Sequence, residues 1–203
     1  MSTMSLSYNN KKTNTQKAQR FTMWLGIVSM AMSFGGWTSA FLVRKAAGSW
    51  VNFTMPSIFY ASTLVILLSS VTMHIAHIAN KKGKSGLMKL NLFMTFCLGV
   101  LFFLLQRQGW YELEQLGIYV DGNVSGSFFF VITWGHAAHI LLATFLVLIA
   151  FVRSYFLFKQ KGVSHFHEGD LDFYKIRTDL LIMFWHFLDF LWVYIFIFLK
   201  LNH

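Results

Sequence analysis

Five apolar runs, each about as long as a bilayer is thick, constrain this chain more than any other feature. A helix crosses the hydrocarbon with about 20 predominantly apolar residues, and residues 21–43, 56–79, 87–106, 126–152 and 178–200 meet that length. Only 12% of the residues are charged, where a soluble domain carries roughly 25%. The missing polar surface faces lipid. The expected fold class is therefore all-α, an integral membrane bundle of five transmembrane helices. Residues 1–20 read as a polar, disordered cytoplasmic tail, rich in Ser, Asn, Lys and Gln, and residues 21–203 as one five-helix domain. The first run is too long for the core of a signal peptide, and no small-residue cleavage pattern follows it, so a retained span is expected. Pro56 opens the second span, where a missing N–H costs nothing.

The formal charge of +9 does not indicate nucleic acid, because the basic residues lie in short clusters between apolar runs rather than along one polar face. They report topology instead. Lys11, Lys12, Lys17, Arg20, Lys81, Lys82, Lys84, Lys89, Arg153, Lys159, Lys161, Lys175 and Arg177 fall on one side, and Arg44, Lys45, Arg107 and Lys200 on the other. Thirteen against four places the N-terminus inside and the C-terminus outside. Trp50, Trp110, Tyr111 and Tyr119 then anchor the outer interface. The single cysteine, Cys97, is expected to be a small buried residue. No internal repeat of the inverted-repeat transporter kind is visible.

Ionisable groups inside the spans are costly and should face other helices. Five of the eight histidines lie within predicted spans. Three pairs have i, i+3 spacing and share a helix face: His74 with His77, His136 with His139, and His186 with Asp189. A haem or metal site is one reading, since a bundle can supply histidines from facing helices. Depth opposes it: at 1.5 Å per residue, His74 lies roughly 8 Å from the inner edge, His186 about 12 Å and His139 about 20 Å. The Glu-x-x-His spacing of carboxylate-bridged di-iron proteins is absent from every span. Interhelical hydrogen bonding that fixes helix rotation is the simpler reading. Proton handling is a third, with His186 and Asp189 paired and His136 or His139 as partners at comparable depth. His165 and His167 read as part of a solvated loop. In the first span Ser29, Ser33, Gly35, Gly36, Ser39 and Ala40 form a small-residue surface, expected to serve close helix packing.

Motifs in all five spans resemble a known family. "FWHFLDFLWVYIFIFL" resembles the closing signature of subunit III of the haem-copper oxidases, with Trp185, His186, Phe187, Asp189 and Trp192 at its key positions. Asp179 stands where that family usually has Glu, six residues before the tryptophan. "GSFFFVITWGHAAHILLATF" is similar to the family's fourth-span motif and places Gly126, Ser127, Thr133, His136 and His139. "LGVLFFLLQ", with Tyr111 and Glu112 beyond it, resembles the third-span motif and carries Gln106. Arg153 sits where the family has an arginine that contacts lipid phosphate. The likeness is to the shorter bacterial type with five spans.

Departures are local. Met30 replaces a membrane-embedded glutamate of the family, Trp134 and Ala137 replace glycines, and Ser125 stands in place of a tyrosine. The resemblance implies an accessory subunit with no catalytic centre and no metal or cofactor of its own, haem and copper being held by partner subunits. It implies packing against catalytic subunit I, retention of structural phospholipids and support of proton uptake, in a bacterial inner membrane and in some cases a larger respiratory supercomplex. Arg153 becomes the lipid-binding candidate. Gln106, His136, His139, Asp179, Trp185, His186 and Asp189 become the interhelical polar and packing residues. The alternatives are a membrane b-type cytochrome binding haem through the same histidines, and a small proton or solute transporter.

Overall fold

A computed structural model describes residues 3–48, 50–51, 53–159 and 168–202, with side chains for 13–48, 50–51, 53–156 and 176–202. His165 and His167 lie outside the described residues. The described chain is all-helical: α1 (Thr3–Ala46), α2 (Ile58–Lys81), α3 (Ser85–Gln115), α4 (Val124–Lys159) and α5 (Glu168–Asn202). All five are long and apolar enough to cross a membrane, which makes this a multi-pass membrane protein. Leu64, Leu68, Phe145 and Phe190 are exposed on the bundle's flanks, a surface that water would not tolerate and lipid does.

The helices overrun the expected spans. α1 begins at Thr3, so the polar leader expected to be disordered is helical. A helix already nucleated by an apolar segment extends at small cost per residue, and polarity does not stop it. α2 starts two residues after Pro56, whose carbonyl accepts from Phe59 N–H at 3.2 Å. The ends of α2 and α3 are closed by the same device. Gly83 and Gly117 take positive φ (67° and 78°). Lys84 N–H then reaches Ala79 C=O at 2.9 Å, and Ile118 N–H reaches Leu113 C=O at 3.0 Å. Each is a six-to-one bond that satisfies a carbonyl the helix would otherwise leave open. α4 is capped by Asn123, whose Oδ1 accepts from Gly126 N–H at 2.7 Å, satisfying a first-turn donor.

Successive helices run antiparallel, so Lys81, Lys82, Lys84, Lys89, Arg153 and Arg177 share one end of the bundle, the lysine end. Trp50, Trp110, Tyr111 and Tyr119 share the other, the aromatic end. α2 lies along α3, α3 along α4, and α5 fills the middle against α1, α2 and α4. Half of α5's apolar stretch is buried within the chain, against 22% for α1. Trp185 and Trp192 of α5 are fully buried, the latter against Phe59 and Phe102.

Two expectations fail here. The small residues of α1 do not mediate close packing within the chain: Ser29, Ser33, Gly36, Ser39 and Ala40 are exposed, and a Cβ on Gly26, Gly35 or Gly36 would meet nothing within 4 Å. α1 turns Ile27, Phe34, Thr38 and Phe41 inward, and that heptad-like row leaves its small residues on the far side. The close approaches occur at other glycines. A Cβ on Gly99 would fall 2.6 Å from Thr144 Oγ1, on Gly109 2.7 Å from the Phe59 ring, and on Gly135 2.6 Å from Trp37. Cys97 is exposed rather than buried, because α3 turns Thr95, Gly99, Phe102 and Gln106 inward.

Candidate functional site

The polar groups of the spans converge on α5 and its seam with α2. Trp185, Asp189 and Trp192 follow i, i+4, i+7 spacing and are all buried, whereas His186, one position round the helix, sits half-buried on the edge facing α2. Trp185 Nε1–H donates to Ser69 Oγ at 3.2 Å, and Trp192 Nε1–H to Thr63 Oγ1 at 2.9 Å. Both hydroxyls are free to accept because they spend their own hydrogens on their own helix, Ser69 on Ile66 C=O at 2.6 Å and Thr63 on Phe59 C=O at 2.8 Å. A hydroxyl with one proton and two lone pairs can donate along its own helix and still accept from a neighbour.

The device recurs elsewhere. Gln106 Nε2 donates to Ser62 Oγ at 3.0 Å while Ser62 donates to Phe59 C=O at 2.9 Å. Trp110 Nε1–H donates to Thr133 Oγ1 at 3.1 Å while Thr133 donates to Phe129 C=O at 2.8 Å. Thr38 donates to Phe34 C=O at 3.0 Å, leaving it to accept from Tyr194 O–H at 2.8 Å. Apart from Thr133, sequence reasoning missed these hydroxyls. The signal was there in α2, where Ser62–Thr63 and Ser69–Ser70 repeat at seven residues within an apolar run.

His186 Nδ1 lies 2.8 Å from Ser70 Oγ and 3.8 Å from Asp189 Oδ2. Only the first is a hydrogen-bond distance. Asp189 is 4% exposed, and neither of its carboxylate oxygens has a hydrogen-bond partner among the described residues. One helix turn along, the His74 and His186 rings stand 6.1 Å apart, centroid to centroid. Toward the lysine end, Asp179 Oδ1 lies 3.4 Å from His77 Nδ1. The residues that face His186 and Asp189 are thus from α2, not His136 or His139 of α4 as depth alone suggested.

His136 sits apart, fully buried with both ring nitrogens unpartnered among the described residues. Its imidazole is enclosed by Trp192, Phe102 and Phe34, at 5.1, 6.0 and 6.4 Å between ring centroids. Those rings occupy the space a haem macrocycle would need. His139 donates its Nδ1–H back along its own helix to Gly135 C=O at 2.6 Å, and its ring meets Phe34 of α1 edge-on at 6.0 Å. Among the described residues no three His, Cys, Asp or Glu side chains come together as metal ligands would. Arg153 lies at the lysine end. With Arg177 it lines a groove of about 370 Å³ between α1, α4 and α5, walled by Met23, Leu146, Leu181 and Phe184.

The polar groups of the interior thus bond mainly between helices, around a histidine sealed by rings. Comparisons with known proteins give the family. The family model described as cytochrome c oxidase subunit III matches residues 5–202. The chain is 31% identical to cytochrome c oxidase subunit 3 of Gazella leptoceros over 195 residues, covering 91% of this chain and 69% of that relative. The figures are the same for the subunit of Antilope cervicapra. For that of Syncerus caffer they are 31% over 193 residues, 90% and 69%. This chain belongs to the cytochrome c oxidase subunit III family, the non-catalytic third subunit of that oxidase.

Proposed function

We propose that this subunit holds an anionic phospholipid at its lysine end through Arg153, and thereby prolongs the working life and proton uptake of the catalytic subunit beside it. The groove carries the reading. It offers acyl chains an apolar wall of Met23, Leu146, Leu181 and Phe184, and its lining includes two guanidinium groups, Arg153 and Arg177. Guanidinium forks match phosphate oxygens in pairs and hold their charge at any physiological pH.

The lysine excess at that end supports an orientation with the N-terminus inside and the C-terminus outside. Haem and copper belong to the partners, catalytic subunit I among them, and the complex can join a larger respiratory assembly. The likeness to the five-span type supports a bacterial inner membrane as the location; the relatives compared are mammalian. Replacing Arg153 with Ala in the intact oxidase should lower the phosphatidylglycerol retained after detergent purification and shorten the time over which turnover persists. Unchanged lipid content and lifetime would remove the assignment.

A further inference from the structure

A second groove opens at the aromatic end, between α3 and α4, with a volume of about 710 Å³. Its chemistry differs from that of the Arg153 groove. Arg107 and Glu114 both line it, seven residues apart on one face of α3 and so about 10 Å apart along the axis. Among the described residues neither side chain has an ion-pair partner. Arg107 follows directly on the apolar run, and Glu114 lies in the last turn of α3, so the pair straddles the level where lipid headgroups lie.

The wall between them is aromatic and fixed. Trp110 is held by its bond to Thr133 at 3.1 Å, and its ring meets Trp134 edge-on at 6.0 Å. Tyr111, 55% exposed, completes the wall. Below Arg107, Phe103 and the exposed Leu104 continue the groove toward the bilayer centre. An arginine at this depth extends its guanidinium outward toward the headgroups. That shortens the distance to Glu114 to a gap that two opposite charges on a short linker can span.

We propose that this groove binds one zwitterionic glycerophospholipid of the leaflet at the aromatic end. Its phosphate sits on Arg107. Its ammonium lies between the Glu114 carboxylate and the ring faces of Trp110 and Tyr111, which attract cations. One acyl chain runs along Phe103 and Leu104. Glu114 disfavours a purely anionic headgroup, whereas among the described residues the lining of the Arg153 groove includes two arginines and no carboxylate. Trp134, where the subunit III resemblance expects glycine, builds half of the wall. The inference rests on the chain spanning a membrane and does not depend on the role given to Arg153.

The test uses the whole oxidase, purified through a tag on this chain, depleted of lipid and reconstituted into vesicles of equal phosphatidylethanolamine and phosphatidylglycerol. Lipids that stay bound after re-extraction are then counted by native mass spectrometry. Arg107→Gln should lose one phosphatidylethanolamine equivalent and keep its phosphatidylglycerol, while Arg153→Ala shows no loss of phosphatidylethanolamine. Glu114→Gln should keep a lipid at the site and erase a preference of about tenfold for phosphatidylethanolamine over phosphatidylglycerol. Identical phosphatidylethanolamine counts in wild type and Arg107→Gln would overturn the proposal. So would loss of phosphatidylglycerol instead, or a photo-reactive group at Leu104 that attaches to another subunit rather than to lipid. Arg107 and Leu104 are exposed and Glu114 is half-buried, so complex yield should not change, and a yield collapse in Arg107→Gln would point to a protein contact and count against it.

Discussion

α1 and α5 both cross the membrane, yet the chain uses them in opposite ways. α5 buries half of its apolar stretch, and it is pinned to α2 by Trp185, His186 and Trp192. α1 buries 22%, is tied to α5 by Thr38–Tyr194 and by Lys45 Nζ on Asn202 C=O at 2.5 Å, and turns its glycines and serines outward. In water the more apolar helix would be drawn inward. In lipid that force is absent, and steric fit with interhelical hydrogen bonds decides which helix occupies the centre. α5 specifies the fold of this chain, and α1 keeps a smooth, small-residue face.

The largest test of that contrast is a pair of tryptophans. Trp185→Ala removes a fully buried indole and its bond to Ser69, and should cost about 3–5 kcal/mol, read as earlier unfolding in a mixed-micelle titration. Trp24→Ala on α1, where the indole is 55% exposed, should change the midpoint little. Comparable losses at both sites would erase the distinction.

Glycines sharpen it at smaller scale. Gly99→Ala places a methyl 2.6 Å from Thr144 Oγ1 and 3.0 Å from the Trp185 ring, an overpacking expected to cost about 1–3 kcal/mol. Gly36→Ala meets nothing within 4 Å and should gain about 0.5–1 kcal/mol from helix propensity in the isolated chain. A loss for Gly36→Ala in the assembled oxidase but not in the isolated chain would mean that a neighbouring subunit lies against α1. The smallest effect belongs to the seam: a double-mutant cycle on Ser70→Ala and His186→Ala should give a coupling of about 0.6–1.7 kcal/mol. A coupling near zero would make their 2.8 Å contact incidental.

How far the sequence could be read follows the range of the forces involved. The five spans were legible because a bilayer sets their length. Their ends were not, since the two six-to-one turns and the Asn123 cap depend on local geometry that hydropathy ignores. Same-face spacing brought His186 within 3.8 Å of Asp189 without a hydrogen bond between them, and it overstated the likeness of His136 and His139. An i, i+3 step leaves two side chains about 60° apart, enough to seal one inside rings and turn the other toward α1. The partner of His186 could not be read at all, because Ser70 is 116 residues away in the chain and serine in a membrane helix is common. The inward row of α1 was hidden for the same reason: its small residues advertise packing, but which side meets a neighbour is a property of the whole bundle.

The central claim is that this chain is a packing subunit whose polar interior holds helices together while redox chemistry stays with its neighbours. Purification through a tag on this chain in mild detergent, followed by separation of the subunits and visible spectra of each, tests it most directly. The account predicts that a haem-bearing catalytic subunit comes down with the tag, and that the Soret band leaves with that partner. Recovery of the chain alone, or a Soret band that stays with it and vanishes on replacing His136 or His186, would contradict it.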